Sequence, residues 1–269
     1  MTEIGEPTQP IGHRTRSIAK RILRHESAVL VLILMALMAG LGGMTRGATL
    51  TRSNISNIWL QSSSRGIASI GQTFVILTSG IDISVGGLAL LVTIVGASLM
   101  TGRTEVPLGA IGIMLLVGLG VGVFNGTMVS RIGMPALIVT LGMWQVTKGL
   151  GYVICRGITF RYLPEGINFI GGGNVLGVPT PVIIFISAAV VAYFVLHHTT
   201  FGRSVYAVGG NPTSAWLSGI KVNNILFSVY AISGFLAGLA GLIIMSRIMS
   251  GGMGSAVTLE LDSIAAVCI

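Results

Sequence analysis

The chain has 269 residues, 52% of them hydrophobic and only 9% charged, with a mean hydropathy of +0.88. A water-soluble domain carries about 25% charged residues, so this composition excludes one and indicates apolar helices bundled in lipid. The net charge of +8 does not indicate a nucleic-acid partner, because the basic residues are thinly spread except at the start.

Residues 1–26 form a basic N-terminal tail carrying Arg14, Arg16, Lys20, Arg21 and Arg24. A basic segment before an apolar run is the expected cytoplasmic flank of a membrane protein. No small-x-small cleavage site follows, so 27–44 reads as a retained first membrane helix rather than a leader. The second run, 54–79, holds Arg65; it is expected either to be broken or to turn Arg65 toward protein or water at depth. Further runs follow at 84–100, 107–129, 135–155, 181–196 and 225–246. Each approaches the 17–25 residues (roughly) that span a bilayer. The last residues, "LDSIAAVCI", read as the opening of an eighth segment, and the chain is expected to be incomplete at its C-terminus. The predicted fold is therefore an all-α polytopic membrane protein, a bundle of about seven complete transmembrane segments plus the start of an eighth.

With the N-terminus inside and the segments alternating, eight basic residues fall inside and six outside, with Arg65 and Lys148 at membrane depth. The inner set holds the five tail residues with Arg131, Arg203 and Lys221; the outer set is Arg46, Arg52, Arg103, Arg156, Arg161 and Arg247. The bias rests on the tail. Lys148 lies near the outer end of its segment and is expected to snorkel to the headgroups.

The stretch "TSGIDISVGG" interrupts the apolar pattern with Asp82, the one acidic residue between Glu26 and Glu105. Gly80 permits a turn, Asp82 or Ser84 can cap the following helix, and Gly86 and Gly87 would let that helix pack closely. Asp82 reads structurally as a cap at a helix break. A carboxylate in a membrane segment also marks polar paths, so Gly80, Asp82, Ser84, Gly86, Gly87 and Asn125 are the candidate residues of a translocation path or helix break. Asn125 alternatively bonds between helices. In "GLGVGVFNG", Gly118, Gly122 and Gly126 stand four apart, as do Gly234 and Gly238 in "SGFLAGLAG", with Gly241 close to the same face. Both are small-xxx-small seams for close helix packing, not dinucleotide loops, because no strand precedes them.

The sequence holds no Walker A pattern, H-E-x-x-H or G-x-S-x-G, and neither Cys155 nor Cys268 belongs to a metal or disulfide motif. No catalytic residue, metal site or bound cofactor is expected, so energy for uphill transport must come from an ion gradient or another chain. The longest inner connection, 197–224, is polar and glycine-punctuated. Within it 212–218 can form a short helix, capped by Asn211 and ended by Gly219. Such a helix is either a surface feature or a docking element for a cytoplasmic protein.

"GQTFVILTSGIDISVGG", "FGRSVYAVGGNPTSAWLSGIKV", "YAISGFLAGLAGLI" and "LELDSIAAV" occur in that order. Together they resemble the membrane permease of a bacterial ABC sugar importer of the ribose, xylose, arabinose and galactose type, from about Asn54 to the end. The resemblance implies a monosaccharide permease of the inner membrane working by alternating access. It implies a cytoplasmic ATPase that binds the ATP, a periplasmic sugar-binding protein and a second permease copy as partners. It places ATPase coupling in the loop at 197–224, on Gly209, Gly210, Asn211, Ala215, Gly219 and Ile220, with Ala215 and Trp216 or Leu217 presented to the partner. Trp216 departs from the small or basic residue usual there. The alternative from the residues alone is a secondary transporter coupled to an ion gradient through Asp82.

Overall fold

The computed structural model describes residues 26–45, 47, 49, 51–256 and 258–269. The basic tail at 1–25 and Arg46 lie outside the described residues. Contacts divide the chain into two units, one reaching to Asn57 and including Ile269, the other Ile58–Cys268.

In the first unit, α1 (Glu26–Met44) is apolar all round. Leu34, Met35 and Leu37 are more than half exposed, as suits a helix surrounded by hydrocarbon. Thr45 Oγ1 closes its last turn on the Leu41 carbonyl at 2.7 Å. The start of α2 (Arg52–Ile76) is held by Asn54 Nδ2, which donates to the Thr49 carbonyl at 2.9 Å.

The second unit is built around two helices. α3 (Ser84–Met100) buries 14 of its 17 residues, so it lies inside the bundle rather than on its rim. α10 (Val222–Ile248) packs on α3 and, most extensively, on α4 (Leu108–Thr127). α5 (Ala136–Cys155) covers another side of α3, and the short α6 (Asn168–Gly172) packs on α10. The two glycine seams meet each other. A side chain at Gly118 would lie 2.7 Å from the Gly234 carbonyl and 2.9 Å from the Gly238 Cα, and one at Gly122 would lie 2.5 Å from the Tyr230 carbonyl. Without side chains the two backbones approach closely, which is how membrane helices gain packing where burial from water is absent. Gly241 instead faces Ala89 and Val92 of α3, so the α10 glycines serve two neighbours.

A π-helical turn, Met128–Ile132, extends α4 and ends at Gly133. Beyond α5 the chain makes an isolated bridge between Phe160 and Gly251, a 3-10 turn at Glu165–Ile167 and a two-residue hairpin, β1 (Asn174–Val175) with β2 (Val178–Pro179). Ser246 Oγ donates to the Ile167 carbonyl, tying this connection to α10. α7 (Thr180–His198), α8 (Thr200–Gly210), α9 (Pro212–Leu217) and α11 (Leu259–Cys268) complete the unit.

Each of the seven apolar runs read from the sequence folds as a helix. Among the described residues four are long and apolar enough to cross a membrane: Leu108–Ile132, Ala136–Cys155, Thr180–His198 and Val222–Ile248. α3 falls a residue short, and α2 is too polar. Arg65 does not break α2, which is continuous for 25 residues. Its charge is met by Asp262 of α11, Nε to Oδ2 at 2.7 Å. Lys148 is half-buried and lies over the Trp144 ring, 4.0 Å from its centroid. A cation on a ring face gains from the ring quadrupole.

Candidate translocation and coupling site

The break between α2 and α3 covers residues 77–83. Ser79 takes a left-handed φ of 60° there, and the Ser79 and Gly80 amides turn back on the Ile76 and Val75 carbonyls. Asp82 follows and is 1% exposed. Its Oδ1 accepts from the Ser84 amide (3.0 Å) and the Ser84 hydroxyl (2.6 Å), and its Oδ2 accepts from Ser233 Oγ of α10 (2.8 Å). The first of these satisfies a free N–H at the start of α3, from the residue before the cap position, which Ile83 holds without a side-chain bond. Asn125 Nδ2 of α4 donates to Ser84 Oγ at 2.9 Å. The Gln72 amide, oriented to match its neighbours, donates to the Asp82 carbonyl (3.1 Å) and accepts from the Asp82 amide (3.2 Å).

This is a buried polar brace that fixes the break to α2, α3, α4 and α10 at once. Gln72, Ser84, Asn125 and Ser233 are each at most 1% exposed. Among the described residues no cation pairs with Asp82; its carboxyl group is met by two hydroxyls and a backbone amide. Tyr230 is also fully buried, with its hydroxyl over Gly80 and no hydrogen-bond partner among the described residues.

The remaining candidates of the path lie nearby with different neighbours. A side chain at Gly86 would run into Glu260 of α11, and one at Gly87 would lie 2.7 Å from the Trp144 carbonyl of α5. These two glycines let α5 and α11 approach α3. Beside them a cavity of about 80 Å³ is lined by Trp144, Lys148 and Glu260. The sequence reading gave Gln72 and Ser233 no role, although both are polar residues in otherwise apolar stretches, the one signal that could have marked them. Arg65 stood out, but nothing local pointed to Asp262.

The 197–224 connection holds more structure than the sequence suggested, because residues 200–210 also form a helix. α8 starts at Thr199, whose Oγ1 accepts from the Gly202 amide at 3.1 Å, and it buries Val205 and Val208. Asn211 caps α9 through Oδ1 and the Ser214 amide at 2.9 Å. Gly219, at φ +83°, ends α9. Its amide bonds the Trp216 carbonyl at 2.9 Å and the Ile220 amide bonds the Ala215 carbonyl at 3.0 Å, the paired bonds of a Schellman stop. Ala215 is 4% exposed and so is turned into its own chain. The expectation that it faces outward is corrected: the outward residues are Trp216 and Leu217, 67% and 73% exposed. A single turn and a half of helix is too short for its apolar spacing to fix which side is inside.

Gly209 joins the two regions. A side chain there would strike the Leu77 carbonyl, and the Gly209 carbonyl accepts from Ser79 Oγ at 3.1 Å. Gly210 has open space where a side chain would stand. The end of α8 therefore rests directly on the helix break.

Residues 54–269 match the family described as branched-chain amino acid transport system / permease component. The chain is 37% identical to the ribose import permease protein of Haemophilus influenzae, covering 94% of this chain and 78% of that protein. It is 36% identical to the D-allose transport system permease protein of Escherichia coli K12, over 80% of this chain and 66% of that protein. It is 34% identical to the L-arabinose ABC transporter permease protein of Azospirillum brasilense, over 88% and 69%. No solved structure matches the chain.

Proposed function

The chain belongs to the family of the branched-chain amino acid transport system permease component, and from that membership we propose that it forms the path by which an ATP-binding cassette importer passes a monosaccharide, a pentose or hexose, across the bacterial inner membrane. Its relatives are permeases, transport subunits rather than enzymes, and those named above are assigned to ribose, D-allose and L-arabinose. A neutral sugar needs hydrogen-bonding groups rather than net charge, in keeping with a chain that is 9% charged.

In this reading all seven long helices, α1, α2, α3, α4, α5, α7 and α10, cross the membrane with the N-terminus in the cytoplasm. The α8–α9 segment then lies on the cytoplasmic side. Trp216 and Leu217 dock a separate ATPase, a periplasmic sugar-binding protein delivers the sugar on the other side, and a second permease copy completes the path. Transport proceeds by alternating access, with ATP bound by the partner.

The observation that carries this reading is the seating of Gly209 on Leu77 and Ser79. A force applied to α9 from the cytoplasm has a direct contact through which to move the break and the brace behind it. The test is uptake by membrane vesicles holding the permease with its ATPase and binding protein, offered a panel of pentoses and hexoses. ATP-dependent accumulation of one sugar is expected. Accumulation driven by a proton or sodium gradient without ATP would overturn the reading.

A further inference from the structure

Near the middle of α2, Ser62, Arg65, Ser69 and Thr73 succeed one another three and four residues apart, on one face of the helix. They line a groove of about 450 Å³, closed on other sides by Phe185 of α7 and Asp262 of α11. The Arg65 and Asp262 side chains both line it and are 46% and 35% exposed overall. A face bearing an ion pair and three hydroxyls does not lie against hydrocarbon; at membrane depth such groups turn toward protein or an aqueous path.

The pairing leaves capacity unspent. It runs through Nε of Arg65 and Oδ2 of Asp262. The only other hydrogen bond to the Asp262 carboxylate among the described residues, from Thr258, reaches Oδ2 as well. Among the described residues the terminal guanidinium nitrogens and Oδ1 make no hydrogen bond and thus remain as donors and acceptor. Adjacent hydroxyls of a polyol present the matching pair, one accepting from the guanidinium and one donating to the carboxylate. Ser69 and Thr73 donate to carbonyls of their own helix, at 2.9 and 2.8 Å, which keeps them at rest in the helix while their oxygens can still accept. The Phe185 ring, pressed on Gly66, gives an apolar face beside them.

We propose that this groove, and not the sealed brace at Asp82, is where the transported solute is held, with the Arg65–Asp262 pair recognising adjacent hydroxyls of a neutral sugar. The inference rests on the proposed sugar-permease function, and its test separates the two. Cysteines introduced one at a time at Ser62 and Thr73, in a Cys268→Ser background that keeps the buried Cys155, are treated in membranes with a charged, membrane-impermeant methanethiosulfonate. Val190→Cys on α7, an apolar position 61% exposed outside the groove, is the control. The groove cysteines are expected to react, the control not, and the reaction is expected to stop uptake. Groove cysteines as unreactive as the control would mean that lipid or another protein surface covers this face, and would overturn the groove whether or not sugar is transported.

The second arm is Arg65→Gln/Asp262→Asn, which keeps a hydrogen-bonded pair and removes both charges. The sugar concentration for half-maximal uptake is expected to rise about tenfold, the scale of a lost charge-assisted hydrogen bond, with membrane yield unchanged. Unchanged uptake at low sugar would overturn the recognition role. Groove cysteines that label while the wild-type complex takes up no sugar would instead refute the sugar function and leave an aqueous path.

Discussion

Ser79 Oγ donates to the Gly209 carbonyl at 3.1 Å, joining the break between α2 and α3 to the end of α8 across 130 residues of sequence. Gly209 meets the Leu77 carbonyl on the same side, so no side chain fits between them. The break and the α8–α9 segment are one mechanical element, even though each reads as a separate loop in the chain.

Neighbouring glycines should therefore respond differently. Gly209→Ala forces a methyl into the Leu77 carbonyl and should lower ATP-driven uptake about tenfold, the size of a typical coupling free energy, while the ATPase still co-purifies. Gly210→Ala enters open space and should transport as wild type. Vesicle uptake alongside co-purification checks this; equal effects at the two positions would refute the contact as a coupling element.

The two faces of α9 separate docking from folding. Trp216→Ala and Leu217→Ala alter exposed residues and should reduce ATPase co-purification without moving the thermal midpoint of the detergent-purified permease. Ala215→Trp overfills a buried site and should lower that midpoint, since overpacking costs about 1–3 kcal/mol. Gly219→Val places a β-branched residue at φ +83°, where L-residues lose about 1–2 kcal/mol, and should fray the end of α9. Thermal unfolding followed by tryptophan fluorescence distinguishes these effects.

Asp82→Asn retains an oxygen to accept from Ser84 and a group that the Ser233 hydroxyl can face by turning. It should keep most ATP-driven uptake. Asp82→Ala strands the Ser84 amide and the Ser233 hydroxyl in a buried space, at about 1–3 kcal/mol for each group left unpaired, and should be markedly less stable. If Asp82→Asn expresses and folds normally but does not transport, Asp82 is a coupling carboxylate rather than a brace.

The glycine seam offers a packing test independent of transport. Gly122→Ala puts a methyl 2.5 Å from the Tyr230 carbonyl and should destabilise the α4–α10 pair by about 1–3 kcal/mol. Gly120→Ala, on the same helix with nothing near it, should be neutral or slightly stabilising, because alanine favours helix by about 1 kcal/mol over glycine. Detergent-resistance and thermal midpoints of the two variants should differ in that order.

What the sequence determined by itself is what neighbouring residues settle among themselves. Long apolar runs with few charges become helices because lipid leaves the backbone no other partner than itself. Asn211 and Gly219 set the ends of α9, since a cap bonds amides three residues away and a left-handed stop needs a residue without Cβ. The four-residue spacing of Gly118, Gly122 and Gly126 already defines a flat helix face. What only the tertiary structure decided is which distant groups meet. Asp82 finds Ser233 151 residues away, and Arg65 finds Asp262 197 residues away. No local period encodes such pairs, because a hydrogen bond is selected by direction and distance in the packed bundle. The same packing sealed Asp82 from the groove and left Arg65 facing it, a distinction invisible while both were simply charges in apolar runs.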